Sequence, residues 1–75
     1  MSRKTLLYHV EKKLPGGLGY RAIAGASGTR QYCEGWVDAM DSLYPSAPCR
    51  IIATYADGSI EVVRETRGRG AVHTN

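Results

Sequence analysis

"TRQYCEGWVDAMDSLYP", residues 29–45, decides the fold, because it is the only part of the chain with a helical rhythm. Cys33, Trp36, Val37, Met40 and Leu43 or Tyr44 recur at i, i+3, i+4, i+7, which places them on one stripe of an α-helix. Glu34, Asp38 and Asp41 follow the same spacing on another face, and Arg30 can pair with Glu34 across one turn. Ser27 or Thr29 can cap the start, since a side-chain oxygen there accepts from a free N–H of the first turn. Those N–H groups, with Arg30 beside them, could also hold an anion, but the lysine of a phosphate loop is absent. Pro45 and Pro48 stop the helix, so the pattern predicts one over 30–44. Gly35 inside it costs up to about 1 kcal/mol relative to alanine and permits a close approach to a neighbouring layer.

On both sides of this helix the period is two. "TLLYHVEKKL" (5–14) puts Leu6, Tyr8 and Val10 on one face and Leu7, His9 and Glu11 on the other, the pattern of a half-buried strand. "PGG" (15–17) breaks it, and "YRAIAG" (20–25) returns as a second strand before "ASGT" punctuates the chain. After the helix, "CRIIATY" (49–55) is rich in β-branched residues, and "ADGS" carries the Asp57-Gly58 hairpin signal. "IEVVRE" (60–65) is the return strand, with Ile60, Val62 and Arg64 expected on one face and Glu61 and Val63 on the other. The order is β-β-α-β-β. It predicts an α+β fold: a four-stranded antiparallel sheet with one helix packed on one face. Trp36, Val37 and Met40 should meet the inward strand residues. The other sheet face, carrying His9, Glu11 and Arg21, should stay partly open, and the sheet edges invite pairing with another chain.

Residues 1–66 are expected to form one small domain and residues 67–75 a flexible basic tail. With 75 residues, 43% apolar and 23% charged, the chain has the composition of a folded domain, with only a small core available. No apolar run reaches a membrane span, and "MSRKTLLYHVEKK" does not read as a signal peptide, so a cytoplasmic protein is expected. Cys33 and Cys49 lack any CxxC or Cys/His spacing; they read as two buried thiols used as small hydrophobes, not as metal ligands.

The net charge of +3 is unevenly placed. Residues 5–63 hold five cations against six carboxylates, a balance of −1. The positive charge therefore sits at the ends, in Arg3 and Lys4 and in Arg64, Arg67 and Arg69 of "RETRGRGAVHTN" (64–75). Those five residues are the candidate contacts for nucleic acid, with the arginines meeting phosphates. Two Arg-Gly pairs without an interleaved aromatic also suit a solvated terminus.

Catalytic groups do not converge. His9 and Cys33 are expected on opposite sides of the sheet, His73 lies in the tail, and three carboxylates in helical register suit a solvated face better than a metal set. No enzyme and no cofactor are expected. The tyrosines beside an acidic helix face and a polar sheet face suit protein binding instead. The candidate partner-binding residues are Glu34, Asp38 and Asp41 on the helix and His9, Glu11 and Arg21 on the sheet.

The run "TLLYHVEKKLPGGLGYRAIAG" before a helix is similar to the sheet-then-helix DNA-binding domains of phage integrases, but those place three strands before the helix and this chain has two. In size and layout, through "YHVEKKLPGGLGYRAIAG", "QYCEGWVDAMDSLYP" and "RIIATYADGSIEVVRE", the chain resembles the small accessory proteins of phages and mobile elements, including anti-CRISPR proteins. That resemblance implies a non-catalytic inhibitor or modulator of a host protein or nucleoprotein complex, working in the host cytoplasm. It assigns no residue a role. Nucleic acid bound through the termini and a homodimer are the other partner readings.

Overall fold

The computed structural model describes residues 4–67. The elements are β1 (Thr5–Lys13), β2 (Tyr20–Gly28), α1 (Arg30–Leu43), β3 (Cys49–Tyr55) and β4 (Ile60–Glu65). They form one antiparallel sheet in the order β2-β1-β3-β4. Two hairpins thus lie side by side, joined through their first strands, with α1 across one face. This is the predicted α+β architecture.

Each hairpin turns where the glycines allow it. Gly16 and Gly17 take φ of +70° and +73° in a single 3-10 turn, and the Leu14 N–H closes the loop on the Gly19 carbonyl at 2.7 Å. At the second turn Gly58 takes φ of +88°, and Asp57 Oδ1 accepts from the Ser59 N–H at 2.9 Å. Thr29 is the helix cap: its Oγ1 accepts from the Tyr32 N–H at 3.1 Å.

Val10, Ala26, Cys33, Val37, Cys49 and Ile51 make the core between sheet and helix. Tyr8, Ile23, Trp36, Met40 and Val63 close around it half-buried, so Trp36 is a wall of the core and not its centre. Both cysteines are free and buried.

Three features depart from the sequence-based expectation, and register explains each. First, β2 continues to Gly28 instead of ending at Gly25. Glu11 faces Ala22 while His9 faces Ser27, so residues 23–26 all lie opposite Val10. Gly25, at φ +82°, bends the chain through this bulge, and Ala26 drops into the core. Second, Arg21 lies directly opposite Lys12, which shares parity with Tyr8 and Val10. Arg21 therefore stands on the helix side of the sheet, away from His9 and Glu11. Third, β4 also bulges. Ile52 faces Val62 but the adjacent Ile51 faces Arg64, leaving Val63 as the extra residue. Ile60 and Val62 keep the open face, while Arg64 is turned to the helix side.

The core is small enough that one cavity should be felt throughout. Ile51→Ala, at a fully buried site on a central strand, is expected to cost about 3 kcal/mol and to lower the thermal midpoint by roughly 10–20 °C. Ile60→Ala, on the exposed face of β4, should change stability by less than about 0.5 kcal/mol. Thermal unfolding followed by circular dichroism distinguishes the two.

Candidate functional site

The face of the sheet away from α1 carries a side-chain network that reaches all four strands. Arg50 on β3 lies opposite Glu11 on β1, and its Nε donates to Glu11 Oε1 at 2.7 Å. The other Glu11 oxygen stands 3.1 Å from His9 Nε2. The Arg50 guanidinium also sits 3.8 Å above the ring of Tyr20 on β2. The Tyr20 hydroxyl in turn donates to Glu65 on β4 at 3.0 Å. Each charged group here meets an opposite charge, a ring face or a hydroxyl, so the cluster is held in one arrangement.

Next to this network the same face becomes apolar. Leu7 and Ile60 flank Thr54 in one row; His9 and Val62 flank Ile52 in the next. Ile52 is 1% exposed, whereas Leu7, Val62 and Ile60 are 43%, 43% and 63% exposed. The face is thus divided between a rigid polar half and an aliphatic half centred on Ile52.

The carboxylates of α1 are occupied differently from a free acidic face. Arg64 donates from Nη1 to Glu34, and from Nη2 to Asp38 at 2.9 Å. Arg30 approaches Glu34 along the helix at 3.4 Å. Glu34 and Asp38 therefore clasp β4 to the helix. Asp41, half-buried further along α1, also makes an interaction of its own. Arg64 is a structural cation, and burial, which opposes its charge, is outweighed by the hydrogen bonds and charges of Asp38 and Glu34.

Of the sequence-derived partner residues, then, His9 and Glu11 come together on the open face. Glu34 and Asp38 come together around Arg64, and Arg21 stands apart from both groups. Arg50, Tyr20 and Glu65 complete the open-face network and were not singled out from the sequence. Their only signal there is parity within each strand, which becomes informative once β1 is known to pair with β3. Among the terminal cations, Lys4 and Arg67 are exposed, and Arg3, Arg69 and the rest of the basic tail lie outside the described residues.

His9 and Cys33 lie on opposite sides of the sheet, one in the open-face network and the other in the core. Burial pushes both thiols above their ordinary pKa, with Glu34 adding to the shift at Cys33 and Asp41 at Cys49. No helix among the described residues is long and apolar enough to cross a membrane. No protein-family model, curated protein or solved structure matches this chain.

Burial raises the Glu11 pKa, but the hydrogen bonds from His9 and Arg50, reinforced by their charges, hold it below the ordinary 4.5. A lowered folded-state pKa means that the carboxylate stabilises the fold above about pH 4.5 and loses that contribution as pH falls through the folded value. Wild-type protein should therefore lose more stability than Glu11→Gln between about pH 6 and pH 3, a difference read from urea midpoints at the two pH values.

Proposed function

We propose that this chain is a non-catalytic binding domain whose open sheet face docks on a protein. By this reading it is an accessory inhibitor or modulator of a host protein or nucleoprotein complex, of the kind that phages and mobile elements encode. The observation that carries the proposal is the pairing of a pre-ordered Tyr20–Arg50–Glu11 network with exposed Leu7, Ile60 and Val62 on one face. Tyrosine and arginine held in place beside an aliphatic patch are the composition of the energetic centre of protein interfaces. A network already ordered before binding loses little side-chain entropy when it is covered.

The balance of charge favours a protein over a nucleic acid on this face. Glu11 and Glu65 lie within the patch and would repel phosphates. Arg64, one of the five candidate phosphate contacts, is held by Glu34 and Asp38 on the opposite side.

Affinity capture from a bacterial lysate, with and without nuclease, tests this reading. Wild-type chain should retain a defined protein or complex after nuclease treatment, and Val62→Asp should lose it while keeping the wild-type circular dichroism spectrum. Capture that disappears with nuclease, or that Val62→Asp leaves intact, would overturn the proposal.

A further inference from the structure

Lys12 and Arg21 are direct cross-strand partners, so the fold sets two positive charges opposite each other on β1 and β2. Like charges in that position destabilise a sheet. Several other charges of the sheet and helix are neutralised: Glu11 with Arg50, Glu34 and Asp38 with Arg64. Among the described residues neither Lys12 nor Arg21 forms an ion pair or a side-chain hydrogen bond.

The pair stands at the rim of a groove of about 670 Å³ between β2 and the C-terminal half of α1. Its remaining lining is chiefly apolar: Ile23 and Ala24 from β2, Met40 and Tyr44 from α1 and its cap. The connection beyond the helix closes the far wall and is tied down at both ends. The Ala47 N–H donates to the Tyr44 carbonyl at 2.9 Å, and the Lys13 N–H to the Pro48 carbonyl at 3.0 Å. Along this groove β2 is also an edge strand, hydrogen-bonded only to β1. Its stretch before the bulge, Tyr20–Ala22, has backbone groups on the outer side that face no strand.

We infer that this groove takes an acidic, extended peptide segment of a partner protein. The segment lies along the outer edge of β2, with carboxylates at Lys12 and Arg21 and aliphatic side chains on Ile23, Met40 and Tyr44. Three requirements select this occupant. The cations call for an anion, the apolar floor calls for hydrophobic side chains, and the open strand edge calls for a peptide backbone. A nucleic-acid strand meets the first requirement only. The site is separate from the open sheet face, so its existence does not depend on the function proposed above.

The probe is a fluorescein-labelled nonapeptide alternating glutamate and valine, followed by fluorescence anisotropy with the full chain. Its counterpart with glutamine for glutamate and a ten-nucleotide single-stranded DNA serve as comparisons. The glutamate peptide should bind and weaken with added salt, and the glutamine peptide should bind at least about tenfold more weakly. Arg21→Glu is the decisive variant. It replaces a repulsive cross-strand pair with an attractive one, so the thermal midpoint should rise by a few degrees while peptide affinity falls at least about tenfold. A purely structural role for Arg21 would not move stability and binding in opposite directions. Val62→Asp, on the other face, should leave peptide affinity unchanged, which separates this site from the open-face reading. The inference is overturned if the two peptides bind equally, if DNA binds more tightly than the glutamate peptide, if Arg21→Glu binds as wild type does, or if no peptide binding is seen at millimolar concentration.

Discussion

One helix cannot cover both faces of a four-stranded sheet, and the rest of the structure follows from that shortage. The face under α1 becomes the core, and the central strand β3 supplies it with Cys49 and Ile51. The face away from α1 must then be stable against water. It achieves this without a second layer, by joining its charged and aromatic side chains to one another across the strands. Glu11, Arg50, Tyr20 and Glu65 form that bracing, and Ile52 is buried beside it with no helix above. The polar network is therefore a structural substitute for a missing layer as well as the surface most available to a partner.

The same economy governs charge. The charges that could stabilise the fold are used inside it, and the acidic stripe on α1 shows this most clearly. Read along the helix, Glu34 and Asp38 resemble a surface for a basic partner; in the folded chain their partner is Arg64 from the last strand. Ion pairs of this kind, half exposed, contribute little each, in the range of about 0.2–1 kcal/mol. Their larger effect is to hold the edge strand β4 against the helix at a place where the core beneath it is thin. The small negative balance of residues 5–63 is thus a poor guide to surface character, because several of those charges are paired: Glu11 with Arg50, Arg30 with Glu34, and Glu34 and Asp38 with Arg64. Among the described cations left without an ion pair, Lys12 and Arg21 stand opposite each other as a repulsive pair.

The elements themselves were legible because each carries a strong local signal. The change from period two to period 3.6 at Arg30, the proline stop after Tyr44, and the glycines of both hairpins locate every strand and the helix to within a few residues. From Leu7 onward the faces of β1 were legible for the same reason, and His9 with Glu11 lies where alternation places it, whereas the register against β3 shifts between Thr5 and Leu7 and leaves Leu6 exposed. Legibility ended at pairing. Arg50 and Tyr20 belong to the candidate site through neighbours about 40 and 30 positions away in sequence, and no local pattern encodes that register. The face of Arg21 follows from its partner Lys12 alone.

The bulges of β2 and β4 show most clearly why alternation fails as a guide to the surface. Each inserts residues into one strand only, and everything beyond the insertion changes face. In β2 the insertion lies in "IAGA" (23–26), an apolar run whose Gly25 adopts positive φ, so that Ala26 reaches the core while the strand before it stays regular. In β4 there is no glycine to announce it. Val63 is the extra residue because Arg64 gains two carboxylates by turning under the sheet, while Ile60 and Val62 remain outside. Without that bulge Arg64 would stand on the open face next to Val62, Glu34 and Asp38 would have lost their principal cation, and the aliphatic patch would be interrupted by a charge. The division of the molecule into a clasped helix side and an open, aliphatic-and-aromatic sheet side thus depends on one additional residue in its last strand.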